Sequence, residues 1–179
     1  MTSPFIEEND QTRARREHLT EIEQLVGNAY PSKFRRTNLA GSPEGEDTIT
    51  ALASAETLKR LVGKEDSGAA FDALAARVEA GERPTAEDLE PVNAELNGLR
   101  ARVAGRVATP PRVMGKAAFV HLSDGHERLQ IYVRKQDARA VSNDSGQPVE
   151  EPESGWKLFQ LLDHGDFVGV EGFLFVTKT

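Results

Sequence analysis

Phe119, Gln130, Tyr132 and Arg134 fall on one side of a segment, Arg112 to Arg134, that alternates with period two. On its first arm Ala118, Val120 and Leu122 alternate with Phe119, His121 and Ser123. On its second arm Leu129, Ile131 and Val133 alternate with Arg128, Gln130, Tyr132 and Arg134. Successive strand side chains point to opposite faces, so one row meets a core and the other faces away. The second arm decides which: its apolar row is the buried one. Pairing the arms as a hairpin then puts Phe119 on the polar face with Gln130, Tyr132 and Arg134. If Asp124-Gly125 forms a two-residue turn, Phe119 lies directly across from Gln130; a connection two residues longer makes the two diagonal neighbours. A ring that can stack on a base, an amide that can read its edge and flanking arginines are the equipment for holding one unpaired nucleotide. Arg112 and Lys116 flank Gly115 just ahead of this face, in a basic loop that is either solvated or in contact with nucleic acid.

Other chemistries find little support. His18, His121, His126 and His164 have no metal-ligand spacing. Asp124, Asp163 and Asp166 stand at turns and a helix end, where their oxygens are expected to bond local backbone. Gly105, Gly115, Gly169 and Gly172 are scattered and form no phosphate-binding loop; they predict bends and bulges in strands. No nucleophile or acid/base pair forms a convincing catalytic constellation, so the chain itself is expected to catalyse nothing.

Composition sets the partner class. The 179 residues carry a formal net charge of -7, which argues against a general polyanion binder. The charge is uneven, however. Residues 40–100 hold 6 Lys+Arg against 13 Asp+Glu, whereas residues 102–139 hold 8 against 3. A locally basic region of this size suits a short, specific contact with an anionic partner. The chain has no cysteine, so disulfides and thiolate metal sites are excluded. No apolar run of about 18 residues is present, and the first 20 residues lack the apolar core of a secretory signal. The expectation is a cytoplasmic chain with no membrane partner.

The elements that must position the face follow from periodicity. Residues 1–10 read as a frayed tail. Residues 11–26 read as an amphipathic helix with Leu19, Ile22, Leu25 and Val26 on its apolar side and Gly27 as its C-cap. Arg13, Arg15, Arg16 and His18 crowd its start, where positive charge opposes the helix dipole. They form either a solvated face or a phosphate-contacting one, with Arg13 and Arg16 the candidate contacts. Tyr30-Pro31 opens an extended segment through Phe34, Arg35 and Arg36. After a loop at 40–48, helices are predicted at about 48–62, 67–80 and 85–99. Thr85 to Asp88 resembles a capping box, and Pro91 should delay the regular part of the third helix. Period two returns at Arg102–Ala108, with Val103 and Val107 opposite Arg106. The hairpin follows, then a polar loop at 138–152, a short helix at 153–163 with Trp156, Phe159, Leu161 and Leu162, and a strand at 166–176. Three strands, a short helix and a strand is the order of an OB-fold up to its fourth strand. The fifth strand, which would close the barrel, is expected to be missing or truncated.

The order of these residues resembles the anticodon-binding domain of class II lysyl-tRNA synthetases. The likeness rests on Val103-Ala-Gly-Arg106, Arg112-x-Met114-Gly115-Lys116-Ala-x-Phe119, Leu122-x-Asp124 and Leu129-Gln130-Ile-Tyr132-Val-Arg134-Lys135. It continues in Leu162-Asp163-x-Gly165-Asp166-x-Val168-Gly169-Val170-x-Gly172-x-Leu174-Phe175-x-Thr177-Lys178-Thr179, and in Arg13-x-Arg15-Arg16-x-x-Leu19 followed by Tyr30-Pro31-x-x-Phe34. Aspartyl and asparaginyl synthetases share the Arg, Phe and Gln positions; the Met-Gly-Lys and Thr-Lys-Thr strings favour the lysyl branch. The resemblance covers roughly residues 11–36 and 102–179.

The resemblance implies an α+β chain. Residues 1–39 would be an N-terminal helical arm, 40–101 an all-α insert, and 102–179 an OB-fold anticodon-binding domain. It implies that Phe119 stacks on the middle anticodon uracil, that Gln130 bonds that base's edge, and that Arg112 reaches the same base or its neighbour. The basic N-terminal helix would lie along the anticodon stem. The partner would be lysine tRNA, with a homodimer possible. The parent reaction would be ATP-dependent attachment of lysine to tRNA, with ATP and Mg handled elsewhere and no cofactor in this stretch. Three features depart from the family: the helical insert is unusual, a glutamate normally found just beyond the position of Thr179 is absent, and the catalytic motifs have no counterpart. A dimerisation or protein-contact module built on the same OB frame is the alternative.

Overall fold

The computed structural model describes residues 9–43, 45–63 and 65–178. Most of the predicted tail at 1–10 lies outside them. Its last two residues are ordered differently from the expectation: Asn9 is an N-cap whose side chain accepts the Thr12 N–H at 2.8 Å, and Asp10 is already helical.

The chain is α+β: six helices and an open antiparallel five-stranded sheet, an unclosed barrel among the described residues. In chain order the elements are α1 (Asp10–Val26), α2 (Ile49–Ala53), α3 (Ala55–Val62), α4 (Glu65–Glu79), α5 (Ala86–Leu96), β1 (Arg100–Val107), β2 (Arg112–Met114), β3 (Ala117–Ser123), β4 (Arg128–Arg134), α6 (Ser154–Gln160) and β5 (Phe167–Phe173). The strand order is β2-β3-β1-β5, with β4 paired to β3. The residues fall into two compact units, whose boundaries fall within β1, β3 and β4. One comprises the described parts of Met1–Lys33, Arg106–Leu122 and Gln130–Asp166; the other comprises those of Phe34–Gly105, Ser123–Leu129 and Phe167–Thr179.

In the first unit, Val107, Ala118, Val120, Leu122, Ala140, Trp156 and Phe159 are buried, and Val26 joins them from α1. The Trp156 and Phe159 rings stack at 6.0 Å on the inner side of α6. Gly155 is required there, because a Cβ would stand 2.5 Å from the backbone at Ala138 and Arg139. The buried Ser154 hydroxyl accepts the Ala140 N–H at 3.1 Å and donates to the Val149 carbonyl, tying the 138–152 segment to the helix start. Helix α1 packs on α6, where His18 Nδ1 lies 3.3 Å from Asp163 Oδ2. Asp163, just beyond α6, thus answers a side chain of α1 rather than its own turn. Asp166 keeps the expected local role, accepting the Asp163 N–H.

In the second unit, α2–α5 form a small helical core whose innermost side chains are Ile49, Leu52, Val62, Val92 and Leu96. The single helix predicted at 48–62 is two helices. Ser54 adopts extended angles and its hydroxyl accepts the Thr57 N–H, so a residue that favours caps over helix interiors breaks the run. Pro91 does not delay α5, which begins at Ala86. The bond Pro91 forgoes would go to the Glu87 carbonyl in the first turn, and the Thr85–Asp88 capping box holds that turn in place. Asp47, read only as part of a loop, is fully buried: it accepts N–H groups of Leu39 and Ala40 at 2.8 Å each and the Thr37 hydroxyl. Phe34 lies under the Arg102 guanidinium at 4.9 Å, and a Cβ at Gly169 would run into its ring. Gly169 is therefore a close-approach glycine rather than a bulge.

Candidate nucleic-acid interface

The faces of the hairpin fall where alternation places them. On β3, Ala118, Val120 and Leu122 are buried while Phe119, His121 and Ser123 are half-buried. On β4, Arg128, Gln130, Tyr132 and Arg134 are exposed. The apolar row of β4 is only half-covered rather than buried, because among the described residues β4 pairs with β3 alone.

Two local geometries differ from the expectation and shape the site. The first is the β3–β4 connection, which is four residues long, Asp124 to Glu127, not a two-residue turn. Asp124 organises it: its carboxylate accepts N–H groups of His126 and Glu127 at 3.1 Å each, the Thr50 N–H at 2.7 Å and the Thr50 hydroxyl at 3.0 Å. Partial burial pushes this carboxyl up, but the four donors outweigh burial and hold it at about 2, against an ordinary 3.8. The second is Arg112, read as part of a loop, which instead begins strand β2. Gly115, in the left-handed region at φ 65°, makes the tight turn into β3, and Lys116 completes it. In this register Arg112 is the direct partner of Phe119.

The longer connection moves the ring to a different partner. Phe119 stacks on Tyr132, with centroids 5.0 Å apart and planes 27° from parallel. Gln130 is two residues along β4 on the same face and so diagonal to Phe119, as the longer-loop case requires. One side of the Phe119 ring is thus covered by an aromatic neighbour, and a two-ring shelf replaces a lone ring. Tyr132 keeps 40% of its surface exposed. Cross-strand pairing puts Arg112 on the same face as Phe119.

The remaining candidates are distributed around this face. Arg134 closes β4, its Nε 2.6 Å from Asp137 Oδ2. Lys116 is exposed in the turn, and its carbonyl accepts the Lys135 N–H at 2.9 Å. Among the described residues neither Arg112 nor Lys116 has an ion-pair or hydrogen-bond partner for its side chain. Arg13 and Arg16 are exposed on α1, a separate element that packs on α6. Arg36, at the end of the extended segment, is committed elsewhere: its guanidinium bonds Glu46 and the Asp47 carbonyl.

Sequence reasoning passed over two residues of the face. His121 was placed on the row of Phe119 but weighed for chemistry only as a metal ligand, and Thr109 was not weighed. The signal for His121 was available: it has the same parity as Phe119 on β3. The signal for Thr109 was not, because it lies in the segment after β1 and its contact with His121 joins residues 12 positions apart. Among the described residues no group of three or more His, Asp or Glu side chains could hold a metal ion, and no helix is long and apolar enough to cross a membrane.

A face with a two-ring shelf, an exposed amide and unpaired cations can stack an unpaired base, read its edge and neutralise adjacent phosphates. Comparison with known proteins gives a consistent picture. Residues 101–179 match the family described as the OB-fold nucleic acid binding domain of the tRNA anticodon type. The chain is 31% identical over 173 residues to a lysine–tRNA ligase of Coxiella burnetii (strain RSA 493 / Nine Mile phase I), covering 97% of this chain and 24% of that protein. It is 31% identical over 177 residues to the lysine–tRNA ligase of Streptococcus suis (strain 05ZYH33), covering 99% and 25%. It is 34% identical over 142 residues to that of Pectobacterium carotovorum subsp. carotovorum (strain PC1), covering 78% and 25%. The chain spans about a quarter of the length of these curated relatives.

Proposed function

We infer that this chain, whose residues 101–179 are an anticodon-binding OB domain homologous to lysine–tRNA ligases, recognises the uracil-rich anticodon loop of lysine tRNA. The observation that carries the reading is the Phe119–Tyr132 shelf, with Gln130 and Arg112 on the same open face. Phe119 stacks the middle anticodon base, Gln130 bonds its edge and Arg112 reaches the same base or its neighbour. Lys116 and Arg134 neutralise flanking phosphates, and Arg13 and Arg16 on α1 follow the stem backbone. In a longer parent protein this recognition would position the tRNA for ATP- and Mg-dependent attachment of lysine in the cytoplasm. The catalytic chemistry would belong to that parent.

The test is titration of a fluorescent anticodon stem-loop RNA against the chain. Phe119→Ala should lose about 1–3 kcal/mol of binding, the usual worth of base–aromatic stacking. Wild-type and variant titrations that superimpose would sink the reading. Affinity should also fall as salt rises, since phosphate contacts release counterions.

One observation favours a second role in protein contact. On β5, Phe167 and Phe173 point outward with 74% and 51% of their surfaces exposed. Dimer formation through such a surface predicts a concentration-dependent mass in sedimentation or light scattering, lowered by Phe173→Ser. A single monomeric mass at all concentrations would remove that role.

A further inference from the structure

His121 stands on β3 two residues from Phe119, on the same half-buried row. The Phe119–Tyr132 stack and the four-residue connection set a register that, carried two residues along both strands, places His121 opposite Gln130. The imidazole is not loose. Thr109 Oγ1 lies 3.3 Å from His121 Nδ1, and the same hydroxyl accepts the His121 backbone N–H at 3.3 Å. The Ala108 N–H donates to the His121 carbonyl at 2.8 Å, which clamps the two segments together. A hydroxyl that already accepts the backbone N–H has its own proton to give to Nδ1. In the tautomer that takes this proton, Nδ1 is the acceptor and the ring proton is on Nε2. Among the described residues nothing bonds Nε2.

We propose that His121, oriented by Thr109, is a second edge-reading residue beside Gln130 and selects uracil over cytosine at the stacked base. The inference rests on the base-stacking reading of this face. The chemistry is a match of donors and acceptors. The uracil edge presents acceptor, donor, acceptor: O4, N3–H and O2. His121 Nε2–H, the Gln130 carbonyl oxygen and the Gln130 amide N–H offer donor, acceptor, donor. Cytosine replaces the O4 acceptor with an amino donor and the N3 donor with an acceptor. Two of the three bonds are then lost, and donors and acceptors on the protein face their own kind. Gln130 alone can turn its amide over to suit either base; a histidine whose tautomer is held by Thr109 cannot. In this arrangement His121 touches the base, whereas Thr109 is a positioning residue.

The experiment compares two stem-loop RNAs that differ only in uracil or cytosine at the middle anticodon position. Each is titrated against wild-type chain and against His121→Ala, Thr109→Val, Thr109→Ser and Phe119→Ala, with melting curves to establish folding. His121→Ala should weaken the uracil RNA about five- to tenfold, the worth of roughly one net hydrogen bond, and shrink the uracil-to-cytosine ratio by a similar factor. Thr109→Val should move the ratio the same way by a smaller factor, and Thr109→Ser should restore it. If His121→Ala melts early, the Val and Ser pair at 109 decides the outcome by the same ratio. A ratio unchanged in His121→Ala and Thr109→Val, with binding still lost in Phe119→Ala, overturns this inference and leaves the shelf intact. Full binding by Phe119→Ala removes the underlying reading itself.

Discussion

In α2–α5 the cations are tied to neighbours: Lys59 meets Asp72 at 2.7 Å, and Arg77 bridges Glu82 at 3.1 Å and Asp88 at 2.6 Å. On the β2–β3–β4 face Arg112 and Lys116 meet no such partner among the described residues, and the aromatic rings stand half-covered beside them. The two regions have different apolar economies as well. The helical segment buries Ile49, Leu52, Val62, Val92 and Leu96 fully, whereas β4 leaves its inner row half-covered. Exposed ion pairs contribute little to stability, about 0–1 kcal/mol each, so pairing in the helices chiefly cancels charge. Leaving cations unpaired on a strand face preserves a local positive potential within a chain of net charge -7. The contrast teaches that the helical segment is built to be self-sufficient and the strand face to be completed by a ligand.

The contrast is easiest to break through the helical core. Leu96→Ala removes a fully buried side chain and should cost about 2–5 kcal/mol of unfolding free energy in urea. At temperatures where the variant stays folded, its RNA affinity should equal that of wild type; a parallel loss of affinity would mean that the helices take part in binding. On the strand face the order reverses. Arg112→Ala and Lys116→Ala should each leave the melting temperature nearly unchanged. Arg112→Ala, which removes a base contact, should weaken binding at every salt concentration, and Lys116→Ala should flatten the dependence of log affinity on log salt by about 0.7, the share of one phosphate contact on a single strand. An unaltered slope would remove Lys116 from phosphate contact.

The smallest expected effect belongs to Asp124, where both kinds of region meet one carboxylate's needs: it bonds Thr50 at the start of α2 and the loop that closes β3 and β4. Its folded value of about 2 lies below the ordinary 3.8, so its contribution is fully present above about pH 5 and is lost as pH falls through about 2. Comparing wild type with Asp124→Asn in denaturant at pH 6 and at pH 2 should show a wild-type advantage of about 1 kcal/mol at pH 6 that is clearly smaller at pH 2, the full shift being reduced by solvent screening. An advantage undiminished at pH 2 would place its origin outside the carboxylate's ionisation.

Much of this architecture was legible in the sequence where a residue's environment depends on its near neighbours. Alternation at 117–134 identified which side chains of the hairpin face the core. The Thr85–Asp88 pattern marked the start of α5, and Gly27 marked the end of α1. Covered and exposed rows on β1 and β5 also follow their parity, with Val103 and Val107 buried on β1, the inner row of β5 half-covered, and Phe167 and Phe173 outward. Misreadings arose where one residue supplies a bond that periodicity does not register. Ser54 caps a helix in the middle of an apolar pattern, and Asp47 is buried because three donors converge on it. Asp163 answers His18, distant in sequence, instead of its own turn.

By itself the sequence determined the two faces of the strands and the residue types on each, because side-chain direction in an extended chain is set by covalent geometry. Only the tertiary structure decided which of those residues meet. The four-residue connection, held by Asp124, slides the pairing so that Phe119 finds Tyr132 rather than Gln130. Thr109, from the segment after β1, then fixes the imidazole. Register and cross-strand contact depend on loop geometry and on hydrogen bonds between distant residues, and no local periodicity encodes them.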